Sequence, residues 1–246
     1  MSLLALAVVI ISAILLLGLS LLRDRVKASF RKIPAFTTFN RYLGTAVEDG
    51  SRLHIALGNV GVENARTATS FVSLSALRRA VELSAASDKP PVVSSGDASL
   101  AILSQDNLHA AYRIAGAEHQ YKATSGQLAG ITPFSYVAGA MPTIADQDIS
   151  ANLISGGFGV EVGLLADAAE RKNSFTFAAT DSLPAQAVLY ASAREALIGE
   201  ELFASGAYLH AGRSHIASLY VQDVLRWLLI LVLLGGAATK LLGGIF

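Results

Sequence analysis

The stretch ISANLISGGFGVEVGLLADAAERKNSFTFAAT, residues 149–180, decides the fold class. Ile149 to Ser155 is a short apolar run of strand length. Val160 to Arg171 repeats apolar residues at helical spacing, and Ser174 to Ala179 is a second strand with Phe175 and Phe177 on one face. Two strands joined through a single helix form a βαβ unit, and the strands of such a unit lie parallel in one sheet.

The same alternation continues toward the N-terminus. Glu48-Asp49-Gly50-Ser51 signals a turn before the alternating run Arg52 to Leu57, a strand. Phe71, Leu74, Leu77, Val81 and Ala85 fall on one helical face that Asp88-Lys89-Pro90-Pro91 ends. Val92 and Val93 make a short buried strand. Ser95-Gly96-Asp97 then supplies a turn and an N-cap for a helix carrying Leu100, Leu103, Ala111 and Tyr112 toward Gly116. Thr132-Pro133 is a helix start, which Pro142 must kink or end.

Beyond residue 180 the pattern is less regular. Pro184 to Ala191 fits either helix or strand. Ser192-Ala193-Arg194-Glu195 has capping-box spacing and predicts a helix through Leu197, Leu202 and Phe203 that stops at Gly206. The repeated alternation predicts an α/β body: a Rossmann-like, mainly parallel sheet covered by helices. No Pro-rich or Ser-rich linker divides it, so one domain is expected.

Two apolar runs bracket this body and predict two flanking transmembrane helices. Leu3 to Leu22 is uncharged, and some twenty helical residues reach about 30 Å, the depth of a hydrocarbon core. The second run is Trp227 to Phe246. Between it and Ser214, Ile216, Leu219, Tyr220 and Val224 keep helical spacing without a breaker, which predicts one continuous helix entering the bilayer. A cleaved secretory signal fits the first run poorly: no basic residue precedes it, and Arg23-Asp24-Arg25 stands where small residues should direct cleavage. The expected organisation is a transmembrane helix over 1–22, a basic juxtamembrane collar over 23–41, a cytoplasmic α/β domain over 42–213, and a continuous helix over 214–246 whose membrane part is 227–246. A mean hydropathy of +0.49 with 15% charged residues agrees with two spans.

Charge sets the orientation. Arg23, Arg25, Lys27, Arg31, Lys32 and Arg41 face the single acid Asp24 in the collar, whereas residues 42–223 carry 11 basic and 18 acidic side chains. Basic residues beside a span stay on the cytoplasmic side, so both termini are expected outside and the body in the cytoplasm. Arg226 and Trp227 then mark the inner interface of the second span, and Lys240 snorkels near its far end. A body with seven excess negative charges is a poor partner for nucleic acid. The absence of cysteine excludes disulfides, thiolate nucleophiles and Cys-ligated zinc.

The sharpest candidate for chemistry is Gly156-Gly157-Phe158-Gly159-Val160-Glu161-Val162-Gly163, between a predicted strand and a predicted helix. Gly157 and Gly159 would let the backbone approach a phosphate, and Asp181 at the end of the next strand could hold a ribose hydroxyl. The pattern departs from G-x-G-x-x-G: the third glycine comes one residue late, and Glu161 places a negative charge where the ligand's would be. The competing reading gives these glycines a tight turn and close packing. His54, His109, His119, His210 and His215 form no H-E-x-x-H pair, and His54 reads as a satisfied polar residue on a strand. Glu200 and Glu201 near His210 read more simply as a solvated helix face than as a metal or acid–base set. No G-x-S-x-G is present. No catalytic residue, metal site or bound cofactor is therefore expected.

Several phrases resemble a known group as a set: Leu103-Ser104-Gln105-Asp106, Thr132-Pro133-Phe134-Ser135-Tyr136, Leu183-Pro184-Ala185-Gln186-Ala187, Ile198-Gly199-Glu200-Glu201-Leu202-Phe203 and Gln222-Asp223-Val224-Leu225-Arg226-Trp227. They are similar to a family of uncharacterised bacterial membrane proteins built around a domain of unknown function. The resemblance implies a bacterial inner membrane location and no particular activity. The sequence then supports a membrane-anchored scaffold or assembly module whose partners are the lipid bilayer and further copies of itself. Gly235-Gly236-Ala237-Ala238 and Gly243-Gly244 offer small surfaces for helix association. The alternatives are a tethered nucleotide or small-molecule binding domain or enzyme using residues 156–163, and an accessory subunit of a larger membrane complex.

Overall fold

Alternating apolar residues become strands, and the order in which those strands pair positions everything else. The computed structural model describes residues 3–21, 31–64, 66–85, 87–209 and 213–243. They divide into two units: Lys32–Ala211, and the terminal segments Met1–Arg31 with Gly212–Phe246. Arg23, Asp24, Arg25 and Lys27 of the collar, His210, and the last residues of the second expected span (Gly244 to Phe246) lie outside the described residues.

In the Lys32–Ala211 unit the described strands are β1 (Arg52–Gly58), β2 (Val92–Ser95), β3 (Gly126–Leu128), β4 (Ile149–Gly157), β5 (Phe175–Thr180) and β6 (Glu195–Leu197). They form one six-stranded sheet in the order β3-β2-β1-β4-β5-β6, with every pairing parallel. This is the doubly wound order, whose direction of travel reverses between β1 and β4. The helices in chain order are α1 (Leu3–Leu21), α2 (Pro34–Glu48), α3 (Thr67–Ser84), α4 (Ala98–Ile114), α5 (Pro133–Asp146), α6 (Val162–Arg171), α7 (Leu183–Ser192), α8 (Glu201–Tyr208) and α9 (Arg213–Gly243).

The period of two along β1 divides the core. Leu53, Ile55 and Leu57 join Phe39, Leu77, Leu108, Leu153 and Phe177 on the face covered by α2, α3, α4 and α8. Ala56 joins Ile144, Ile154, Leu165, Ala178 and Leu189 on the face covered by α5, α6 and α7. A strand buried on both sides has no polar face to show, which is why β4 and β5 read as nearly continuous apolar runs.

The helix α2 is an element the sequence reading does not anticipate. Phe36 and Phe39 lie 5.4 and 4.9 Å from Phe177, and Tyr42 stacks on Phe175 at 4.0 Å, so α2 runs antiparallel to β5. It holds 15 residues, about 22 Å of helix, against seven in β1, about 23 Å of strand. Its start, next to Ile33, is thus carried back to the carboxyl end of the sheet. Tyr208 at the end of α8 stacks on Phe36 at 4.9 Å. The chain therefore enters and leaves this unit at one corner.

One local expectation changes and two open readings are resolved. The capping-box spacing at Ser192 does not open a helix: Ser192 ends α7, and Glu195 to Leu197 pair with Phe177 to Ala179 as the edge strand β6. Sheet pairing overrides the local signal, Gly199 turns the chain at φ 66°, and the helix starts only at Glu201. Pro142 does not end α5, which runs through it to Asp146. The undecided segment Pro184 to Ala191 is helical, within α7. The short edge strand β3 has too few residues to show a period.

In the terminal unit α1 and α9 pack together. Among the described residues one helix, His215–Leu241 within α9, is long and apolar enough to cross a membrane, while α1 contributes the shorter apolar stretch Val8–Gly18. A second crossing helix is thus not shown. Trp227 to Leu234 of α9 are all exposed, an arrangement that water does not favour for a wholly apolar helix.

Candidate functional site at the carboxyl ends of the strands

In a doubly wound sheet ligands bind where the strand order reverses, outside the carboxyl ends of the central strands. Here that point lies between Gly58 of β1 and Gly157 of β4, which pair directly. The chain fills it with itself. Asn59 N donates to Gly157 O at 3.1 Å, and Gly96 N, from the loop after β2, donates to Gly58 O at 2.7 Å. A Cβ on Gly58 would stand 2.3 Å from Gly157 O, and one on Gly157 would stand 2.3 Å from a methyl of Val60. These glycines permit backbone and side chains of neighbouring loops to touch.

Glu161 occupies the mouth of α6. Its carboxylate is buried and accepts from Gly159 N at 2.8 Å. A Cβ on Gly159 would lie 2.3 Å from that carboxylate. The internal acid thus takes the backbone N–H that a phosphate would use, the role its charge suggests in the sequence.

Asp181 follows Thr180, the strand partner of Gly156, so the structure brings it to the same edge as Gly157 and Gly159. Its carboxylate is held by Arg66, from the loop before α3: Nε donates to Oδ2 at 2.7 Å and Nη2 donates to Oδ1. Partial burial works to raise the Asp181 pKa, but hydrogen bonds from Arg66 and Thr69 and the Arg66 charge outweigh it, leaving the carboxyl below its ordinary range. The two-pronged pair straps the β1–α3 loop across the end of β5.

Beneath this rim lies a polar network that sequence reasoning reached only through His54. The imidazole is fully buried in β1, with Nδ1 3.1 Å from Asn152 Oδ1 and Nε2 2.9 Å from Ser94 Oγ. With Asn152 Oδ1 accepting, Nδ1 carries the proton and Nε2 accepts from the Ser94 hydroxyl. The Tyr136 hydroxyl lies 3.3 Å from Ser94 Oγ. Burial pushes the His54 pKa down to about 4, against the opposing hydrogen bond to Asn152. A serine bonded to a neutral histidine resembles a nucleophile with its base, but Ser94, His54, Asn152 and Tyr136 are all fully buried. Asn152 Nδ2 has no partner. Only the even spacing of polar residues on adjacent strands could have revealed this cluster. Among the described residues no group of three His, Asp or Glu is placed to hold a metal.

Around the filled crevice the rim is apolar. Leu128 ends β3, Ile131 and Phe134 flank the start of α5, Val160 precedes α6, Leu183 opens α7 and Ile198 follows β6; all six are exposed, Ile131 at 76% and Leu183 at 75%.

A family profile described as a domain of unknown function, DUF6754, matches residues 1–245. The chain belongs to this family. No curated protein and no solved structure matches it. The resemblance seen in the phrases from Leu103 to Trp227 is thus a family relation covering both units, and DUF6754 is one architecture of α/β body and terminal helices rather than a body alone.

Proposed function

We propose that this DUF6754 protein is a membrane-anchored assembly module that associates with further copies of itself and performs no catalysis. The observation that carries the reading is the state of the switch point: Val60, Glu161 and the Arg66–Asp181 pair take the positions a ligand would need, while large apolar side chains surround them in the open. Exposed apolar surface at a rim is costly in water and is relieved by protein contact.

In this reading α1 and α9 both span the inner membrane of a bacterium, with the termini outside and the body in the cytoplasm. The basic collar supports the orientation, and the packing of α1 on α9 supports a hairpin. The small residues Gly235 to Ala238 suit close association of helices within the bilayer.

Native mass spectrometry of gently extracted protein tests it. A homo-oligomeric mass is expected for the natural chain, and a shift toward monomer for the double variant Ile131→Asp, Phe134→Asp. A monomer at every concentration, or a stoichiometric adduct of nucleotide mass lost in a Gly159→Asp variant, would replace this reading with that of a binding domain.

A further inference from the structure

The opposite, amino end of the sheet holds a cavity of a different character. It has a volume of about 320 Å³ and is lined by Arg52, Pro90, Val92, Lys122, Thr124, Ser125, Gln127 and Gln147. That is the lower end of the size range for small-ligand sites. Six of those eight residues are polar, and two are cations.

The guanidinium of Arg52 is only half used. Nη1 donates to Gln147 Oε1 at 2.6 Å, which fixes the plane of the group. Nε is buried without a partner. No hydrogen bond reaches the Nε–Nη2 edge from the described residues, and this is the edge with which arginine grips an oxyanion through two parallel bonds. A buried N–H left unpaired is unfavourable, and an anion bound beside the guanidinium would relieve part of that cost. The fully buried Tyr112 hydroxyl also lacks a partner. It feels the Arg52 charge, which lowers its pKa against the larger effect of burial; the net value is about 12.

Charge around the cavity points the same way. Lys122 is exposed and makes no ion pair among the described residues, and Lys89 is spent on Asp148 at 2.6 Å. Lys122 therefore stands without a neighbouring acid, while Arg52 and Lys89 share the Asp148 carboxylate, in a body that carries an excess of acids. The Thr124 and Ser125 hydroxyls line the same space and can complete the shell of an anion.

We infer that this cavity binds a small phosphate-bearing anion, held by the Arg52 guanidinium and by Lys122. The inference is independent of the assembly reading, because cavity and apolar rim lie at opposite ends of the strands.

The test is a titration of the full chain in detergent with inorganic phosphate, read by isothermal calorimetry against chloride at equal ionic strength. Saturable binding is expected for the natural protein. Lys122→Ser, on an exposed side chain that supports no packing, should weaken it by about tenfold. Arg52→Gln should abolish it, with circular dichroism reporting the fold. Glycerol phosphate and a short-chain phosphatidic acid then separate the sources: tighter binding of the first assigns a soluble phosphomonoester, and of the second a lipid head group. Phosphate heats equal to those of chloride would overturn the proposal, as would unchanged affinity in the folded Lys122→Ser and Arg52→Gln variants.

Discussion

At the scale of single residues, two features store testable free energy. His54 is neutral in the fold, with a pKa of about 4 against 6.5 for an unrestrained imidazole. The unfolded chain therefore binds a proton first as the pH falls. Stability is full above pH 6.5, declines between 6.5 and about 4, and is then constant, the loss amounting to about 3 kcal/mol. His54→Gln should remove this part of the pH dependence, which thermal unfolding at pH 7 and pH 4.5 would measure. A slope identical to that of the natural chain would mean that His54 is not the titrating group. Gly58 supplies the second case. It combines φ 79° with a Cβ position 2.3 Å from Gly157 O, whereas Gly50 at φ 61° faces open space. Gly50→Ala should cost about 1 kcal/mol from backbone conformation alone. Gly58→Ala must also push two strand ends apart and should cost about 3 kcal/mol or more. Equal losses in the two variants would show that the closure of the switch point is loose.

At the scale of elements, caps distinguish helices whose starts look alike in sequence. Asp97 accepts from Ser99 N at 2.9 Å and Leu100 N at 3.2 Å, while Ser182 at the corresponding position of α7 makes no such bond. Asp97→Ala should lower stability by about 1 kcal/mol and Ser182→Ala by almost nothing, as read from denaturation midpoints. The contrast also explains what could be read from sequence. Asp97 and Thr132 announce their helices because the cap, the turn before it and the periodic apolar run after it agree. Ser192 to Glu195 misleads because its spacing is local, whereas β6 exists through pairing with β5 eighteen residues earlier. Helix α2 hides behind the basic collar: Phe36, Phe39 and Leu43 have the spacing, but only the Phe177 and Phe175 rings opposite give them a surface to bury. At the candidate site Glu161 was legible as a charge in the wrong place. Val60 and Arg66 were not, because they lie about 100 residues from the loops they fill and strap.

At the scale of the whole molecule, topology and charge jointly constrain how the chain can sit at a membrane. The stacking of Tyr208 on Phe36 brings the two connections of the body to one corner. In the proposed orientation the collar, with six basic residues against one acid over residues 23–41, keeps the body on the cytoplasmic side. The natural lack of cysteine makes this placement measurable, since a single introduced thiol has no background. Lys172 is exposed in the turn after α6, so Lys172→Cys should disturb nothing and should resist a membrane-impermeant maleimide in intact cells while reacting fully after lysis. Ser2→Cys should behave in the opposite way, reacting in intact cells once the outer barrier is opened. Labelling of Lys172→Cys from outside would invert the orientation, and labelling of both from outside would mean that α1 does not cross. Protection of Lys172→Cys with exposure of Ser2→Cys requires a crossing between them, the one arrangement in which a single span accounts for the basic collar, the apolar α1 and a body held on the protected side.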